Sequence, residues 1–149
     1  MGLSKFMKFR KANQRDVEAL QAFSASSVES KTVFGHSLGR EFFRSIIRTG
    51  LVYVALSDKK EVVGYLLAEA DARIQFSNII HMSMHPEYKK ESVVQGLIEK
   101  HYEECQKMNI SDIALHTSEL GDENIALLSN LGFNPEKKFM MLTRQVEGF

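Results

Sequence analysis

A chain of 149 residues with 44% hydrophobic content is long enough to bury a sizeable core and suits one domain, 1–149. Lys plus Arg and Asp plus Glu balance at 19 each, which leaves no basic footprint for nucleic acid or an anionic membrane surface. The single cysteine, Cys105, excludes an internal disulfide and a cysteine-built metal site, and no apolar run approaches the roughly 20 residues of a membrane span, so a cytoplasmic protein is expected.

Phe6 to Ala12 alternates apolar and basic residues and predicts a first strand. Asn13, with Asp16 three residues later and Val17, Leu20 and Phe23 behind it, has the pattern of a helix N-cap. The Ser, Thr and Gly residues from Ser24 to Ser37 end that helix in a surface loop. A second amphipathic helix is expected from about Leu38 to Arg48, burying Phe42, Phe43, Ile46 and Ile47, with Gly50 closing it. Its polar residues Arg40, Glu41 and Arg44, with His36 before them, read either as a solvated face or as substrate contacts. Leu51 to Leu56 and Val62 to Ala68, around a polar turn, predict a β-hairpin in which Gly64 marks a bulge or a close backbone approach. Glu69 to Ile74 reads as a polar connection.

The central stretch runs from Asn78 to Met108. An apolar run (Ile79, Ile80, Met82, Met84) is stopped by His85-Pro86 and predicts a strand followed by a tight turn. Val94, Leu97, Ile98, His101, Cys105 and Met108 then recur at three- and four-residue spacing, one face of a helix with Ser92 as its expected N-cap. A helix entered directly from a strand aims unpaired N–H groups and a positive dipole end beyond that strand, where an anion is favoured. The same residues also make sense as a plain strand-turn-helix without a ligand. Cys105, on the apolar stripe, reads as a buried structural thiol. Ile113 to Thr117 predicts a fifth strand, Glu123 to Asn130 a short helix closed by Gly132, and Phe139 to Val146 a last strand.

Several of these segments carry a family resemblance. MHPEYKKESVVQGLIEKHYEEC resembles the acyl-CoA pyrophosphate loop of the GNAT superfamily of N-acyltransferases, where an apolar-x-Pro-x-Tyr string leads through a basic, glycine-containing loop into a helix. DENIALLSNLGF is similar to the late helix of that family, which ends in Leu-Gly-Phe, and the earlier elements follow in the family's order. The resemblance implies an α/β (α+β layered) fold, a mixed, mostly antiparallel sheet of six to seven strands flanked by about four helices. It further implies acetyl-CoA or another acyl-CoA as cosubstrate with no metal, and a small-molecule or peptide amine as acceptor, with a homodimer as one assembly open to it.

By position, the resemblance assigns the backbone of Met82 and Met84 to the pantetheine arm and Lys89, Lys90, Glu91, Ser92, Val93 and Val94 to the phosphate loop; Gly121 stands where the late helix of the family has its asparagine, and Asn124 takes that cofactor contact only with the register shifted. The chain also departs from the pattern. Ser92 and Val94 replace the two loop glycines, Leu128 replaces the tyrosine that protonates the leaving thiolate, and Asn78 stands where some members carry a glutamate base. Catalytic residues are therefore unassigned. His81, His116 and Tyr102 are the titratable substitutes, each equally readable as structural. Two functions fit: an N-acetyltransferase with a divergent phosphate loop, or a catalytically degenerate binding or regulatory module on the same fold.

Overall fold

The computed structural model describes residues 7–26, 38–115, 122–134, 142 and 144–148. The chain divides into two compact units, Met1–Glu119 and Leu120–Phe149. In the first, five strands form one sheet in sequence order: β1 (Lys8–Lys11), β2 (Leu51–Leu56), β3 (Val62–Asp71), β4 (Phe76–Met84) and β5 (Asp112–Leu115). The first four pair antiparallel, and β5 runs parallel to β4. The helices of this unit among the described residues are α1 (Val17–Ser26), α2 (Arg40–Thr49) and α3 (Lys90–Lys107). No helix among the described residues is long and apolar enough to cross a membrane.

The mixed, mostly antiparallel sheet agrees with expectation, but it has five strands among the described residues rather than six to seven. Of the expected last strand, residues 142 and 144–146 form no strand, and residues 139–141 and 143 lie outside the described residues. Of its described residues, Leu142 and Val146 stand 85% and 66% exposed. β3 also runs on through Glu69–Asp71, which alternation alone read as a connection.

Local chemistry explains how the elements begin and end. Asn13 accepts from the Arg15 N–H at 2.9 Å while the Asp16 carboxylate accepts from the Asn13 N–H at 2.8 Å, a reciprocal cap that starts a single 3-10 turn leading into α1. Arg10 on β1 clamps the same carboxylate with two bonds of 2.8 and 2.9 Å. Burial pushes the Asp16 carboxyl up, yet the Arg10 and Asn13 hydrogen bonds outweigh it and hold it below its ordinary value. At the end of α2 the Gly50 N–H returns to the Ile46 carbonyl at 2.7 Å.

One face of the sheet is covered by α1 and α2, whose Val17, Leu20, Phe43 and Ile46 pack with Val52, Val54, Tyr65 and Leu67. The other face receives α3, which buries Val93, Val94, Leu97, Ile98, His101 and Cys105. Two bulges shape the strands. Ala55 pairs with Gly64 and Leu56 with Val62, leaving Val63 as an extra residue in β3. Leu67 pairs with His81 and Ala68 with Ile79, leaving Ile80 extra in β4.

In the second unit, α4 (Asp122–Asn130) starts one residue before its expected position. Its end follows the sequence reading. Gly132 has φ +95°, its N–H donates to the Ser129 carbonyl at 3.1 Å, and the Phe133 N–H reaches back to the Leu128 carbonyl at 3.1 Å. This is the Schellman closure that Gly at C′ permits.

Candidate functional site

The candidate site is the end of β4 and the start of α3. Cross-strand partners share a face, so Met82 opposite Leu66 and Met84 opposite Gly64 point toward α3, whereas His81 and Ser83 point toward α1 and α2. The backbone alternates as well. The His85 N–H donates to the Val63 carbonyl at 2.8 Å, which directs residues 85 and 83 toward β3. The N–H and C=O groups of Met82 and Met84 therefore point to the opposite edge of β4. Among the described residues, β5 pairs with β4 only from Phe76↔Asp112 to Ile79↔Leu115, so no β5 pairing reaches those groups. A strand edge with free donors and acceptors takes an extended amide-bearing ligand as it would take another strand.

Beyond Met84 the chain turns tightly. The Tyr88 N–H donates to the His85 carbonyl at 3.1 Å, the Glu87 N–H to His85 Nδ1 at 3.1 Å, and the His85 and Tyr88 rings meet edge to face at 5.4 Å. α3 then starts at Lys90, so that its cap falls three residues ahead of the expected Ser92. Lys89 is the N-cap and makes no side-chain capping bond. Its carbonyl accepts from both the Ser92 and Val93 N–H groups, at 3.1 and 3.2 Å, so Ser92 lies inside the first turn. The Ser92 cap is corrected because the Tyr88 turn already provides the reversal, and Lys89 has the extended backbone (φ −64°, ψ 111°) of a cap. The N–H groups of Lys90 and Glu91 have no partner among the described residues.

The two valines in this turn do not obstruct that amide end. Val93 and Val94 are 0% and 2% exposed, so both branched side chains enter the core. Gly64 makes this fit, since a Cβ there would lie 2.8 Å from Val93 Cγ1 and 3.1 Å from the Ser83 carbonyl. Lys89 and Glu91 are exposed, and Lys90 and Ser92 are half-buried around the free amides. The structure thus brings Met82, Met84 and Lys89 to Val94 into one strand-turn-helix. Asn124 lies in α4, and its side chain lies outside the described residues.

The other candidates separate. His81 is buried, its ring 5.7 Å from that of Tyr65. Tyr102 is 56% exposed on the outer side of α3, not the core residue one reading allowed. His36 and His116 lie outside the described residues. Arg40 pairs with Glu18 at 2.9 Å and Arg44 with Glu41 at 2.6 Å, as a solvated helix face does. Leu128, in α4, has no group to titrate.

Sequence reasoning missed a buried polar cluster around His101. His101 is fully buried, its Nε2 2.7 Å from Ser77 Oγ and its Nδ1 3.3 Å from the Tyr53 hydroxyl. Ser77 Oγ also donates to the Glu69 carbonyl at 3.1 Å. Burial pushes His101 down to about 4 and raises the Tyr53 hydroxyl and the Cys105 thiol above their ordinary values. The signal in the sequence was a histidine in the middle of an apolar helical stripe.

No protein-family model matches the chain, and comparison with curated proteins also finds no match. Solved structures do match. A possible acetyltransferase from Clostridium difficile 630 is 17% identical with a TM-score of 0.70, over 95% of this chain and 99% of that one. An aminoglycoside acetyltransferase from an uncultured soil metagenomic sample, in complex with sisomicin, is 12% identical with a TM-score of 0.77, over 96% and 98%. The ribosomal-protein-S18-alanine N-acetyltransferase from Escherichia coli is 15% identical with a TM-score of 0.71, over 89% and 80%. The resemblance read from the phosphate-loop stretch and the late helix is thus joined by a likeness of fold to these acetyltransferase structures.

Proposed function

We propose that the protein is a divergent GNAT member, a single domain that transfers an acetyl or other acyl group from acyl-CoA to an amine. The observation that carries the reading is the succession of two backbone surfaces unpaired among the described residues, the Met82–Met84 edge of β4 and the Lys90–Glu91 amides of α3. They suit a ligand with an amide-bearing arm and an anionic end. In this reading Met82 and Met84 hold the arm through their backbone, residues 89–94 surround the pyrophosphate, and the α3 dipole and Lys89 and Lys90 supply positive potential. Asn124 is a further proposed contact.

The cosubstrate supplies an activated thioester. The chain must orient it, hold the developing oxyanion and leave the amine neutral. An N–H on the β4 edge is the proposed oxyanion donor. No side chain is assigned as proton donor, because Leu128 cannot serve; water or the proton released by the amine protonates the thiolate. The acceptor is proposed as a small molecule or a peptide amine, the classes named for an aminoglycoside enzyme and a ribosomal-protein enzyme of the same fold.

A thermal-shift titration with acetyl-CoA, with 3′-dephospho-CoA and ATP as controls, tests the reading. Ligand at 100 times its dissociation constant stabilises the fold by about 2.7 kcal/mol, a visible rise in Tm. A saturable rise specific to CoA species, followed by thiol release with an amine panel, supports the enzyme. No rise at millimolar ligand rejects it and leaves the second reading, a binding or regulatory module, which Asn78 and Leu128 favour.

A further inference from the structure

We infer that His101 is an acid-sensitive latch that ties α3 to the sheet only while its ring is neutral. Assigning the protons so that each contact has one donor gives a matched arrangement. A carbonyl cannot donate, so Ser77 Oγ–H goes to Glu69 O, and the 2.7 Å contact between Ser77 Oγ and His101 Nε2 requires the ring to donate from Nε2. Nδ1 is then the bare nitrogen, and the Tyr53 hydroxyl donates to it across 3.3 Å. The chain Tyr53, His101, Ser77, Glu69 carbonyl links α3 to β2, β4 and β3, with donors and acceptors matched and its members buried apart from Glu69.

A proton added at Nδ1 breaks this match. Two donors then face each other at Nδ1 and the Tyr53 hydroxyl, and the hydroxyl must turn its hydrogen away into apolar surroundings. The groups packed around the ring offer no countercharge in contact with it. From β2 comes the phenol of Tyr53, from β4 the hydroxyl of Ser77, and from α3 the thiol of Cys105 at 3.5 Å from Nε2. β3 contributes only the Glu69 carbonyl. The one carboxylate felt by the ring among the described residues is Glu104, which is 27% exposed and paired at 3.5 Å with Lys11 from β1. A charged His101 is therefore buried without a partner, and the helix that carries the Lys90–Glu91 amides must loosen to hydrate it.

The sign follows from the depressed value. The contribution to stability is complete above the unfolded value of 6.5, declines as pH falls because only the unfolded chain takes up the proton, and is fully lost once pH passes about 4. One proton corresponds to a tenfold change in the folding equilibrium constant for about each pH unit in that window.

The test compares urea unfolding of the full chain and of His101→Gln at a series of pH values between 6.5 and about 4. Carboxylates titrate in both proteins, so the difference isolates the latch. The wild type should lose stability more steeply, by about tenfold in the equilibrium constant per pH unit. Equal slopes would overturn the inference. Should the variant fail to fold, a proton NMR titration of the wild-type His101 ring decides: neutral ring shifts must persist well below 6.5, and a midpoint at that value would overturn it. This test involves no acyl-CoA, so its outcome is independent of the proposed function.

Discussion

Gly64 of β3 and Val93 of α3 meet with no room for a methyl group between them, since a Cβ on Gly64 would lie 2.8 Å from Val93 Cγ1. The same position is 3.1 Å from the Ser83 carbonyl, so the backbone cannot yield on that side. Gly64→Ala must push the first turn of α3 outward. Overpacking of this kind costs about 1–3 kcal/mol. Urea unfolding should show that loss, and in the proposed function acetyl-CoA affinity should fall with it. A Gly64→Ala protein as stable as the wild type would mean that the helix start is not seated by this glycine.

The charges at the start of α3 act in opposite directions on an anion. Lys89→Ala and Lys90→Ala should each weaken acetyl-CoA binding, and Glu91→Gln should strengthen it, by about two- to fivefold, the range for one charge at a helix N-terminus. Isothermal titration at low salt reads these changes, and added salt should shrink them. Equal affinity for all three variants would place the anion elsewhere.

Asp16 joins β1 to α1 by holding the Arg10 guanidinium and the Asn13 N–H together. Asp16→Ala removes the reciprocal half of the cap and the ion pair, leaving the Asn13 bond to the Arg15 N–H, and should cost about 1–3 kcal/mol, mostly from the lost bond to the Asn13 N–H, because Arg10 is 44% exposed and its share is screened. The carboxyl is held below its ordinary value of 3.8, so its contribution is present above that value and is lost as pH falls through the folded one. Acid unfolding of Asp16→Asn, followed by circular dichroism, should lack that component.

Gly96 lies in the middle of α3, where alanine ordinarily adds about 1 kcal/mol of helix stability. Here a Cβ would fall inside the Phe9 ring of β1. Gly96→Ala should therefore destabilise, and pairing it with Phe9→Leu should recover part of the loss. The double-mutant cycle measures the coupling, and additive effects would exclude the contact.

Much of this arrangement was legible in the residues. The Asn13 to Asp16 spacing, the Gly50 and Gly132 stops and the stripe from Val94 to Cys105 are local signals, and local geometry satisfied them. The start of α3 was misread by three residues because Ser92 matches a cap by composition, while the actual cap, Lys89, is set by the His85–Tyr88 turn, which composition does not reveal. Gly64 pointed to a bulge or a close approach; the structure has both, but only the packed helix identifies Val93 as the neighbour. The Tyr53–His101–Ser77 cluster joins residues 24 and 48 positions apart in the chain, and no periodicity within one element encodes that.

The extra residue at Ile80 separates two properties that a regular strand ties together. Ser77 and Ile79 before it, and Met82 and Met84 after it, all face α3, although Ile79 and Met82 are three positions apart and strict alternation would turn one of them over. Excising Ile80 would leave each of these side chains on its present face while removing the bulge and the contacts that Ile80 makes with the core under α1 and α2. The bend therefore does not serve to choose which residues are inside. The described pairing with β5 ends at Ile79, immediately before the extra residue, so the bulge marks the point along β4 where that neighbour stops and the stretch holding Met82 and Met84 begins.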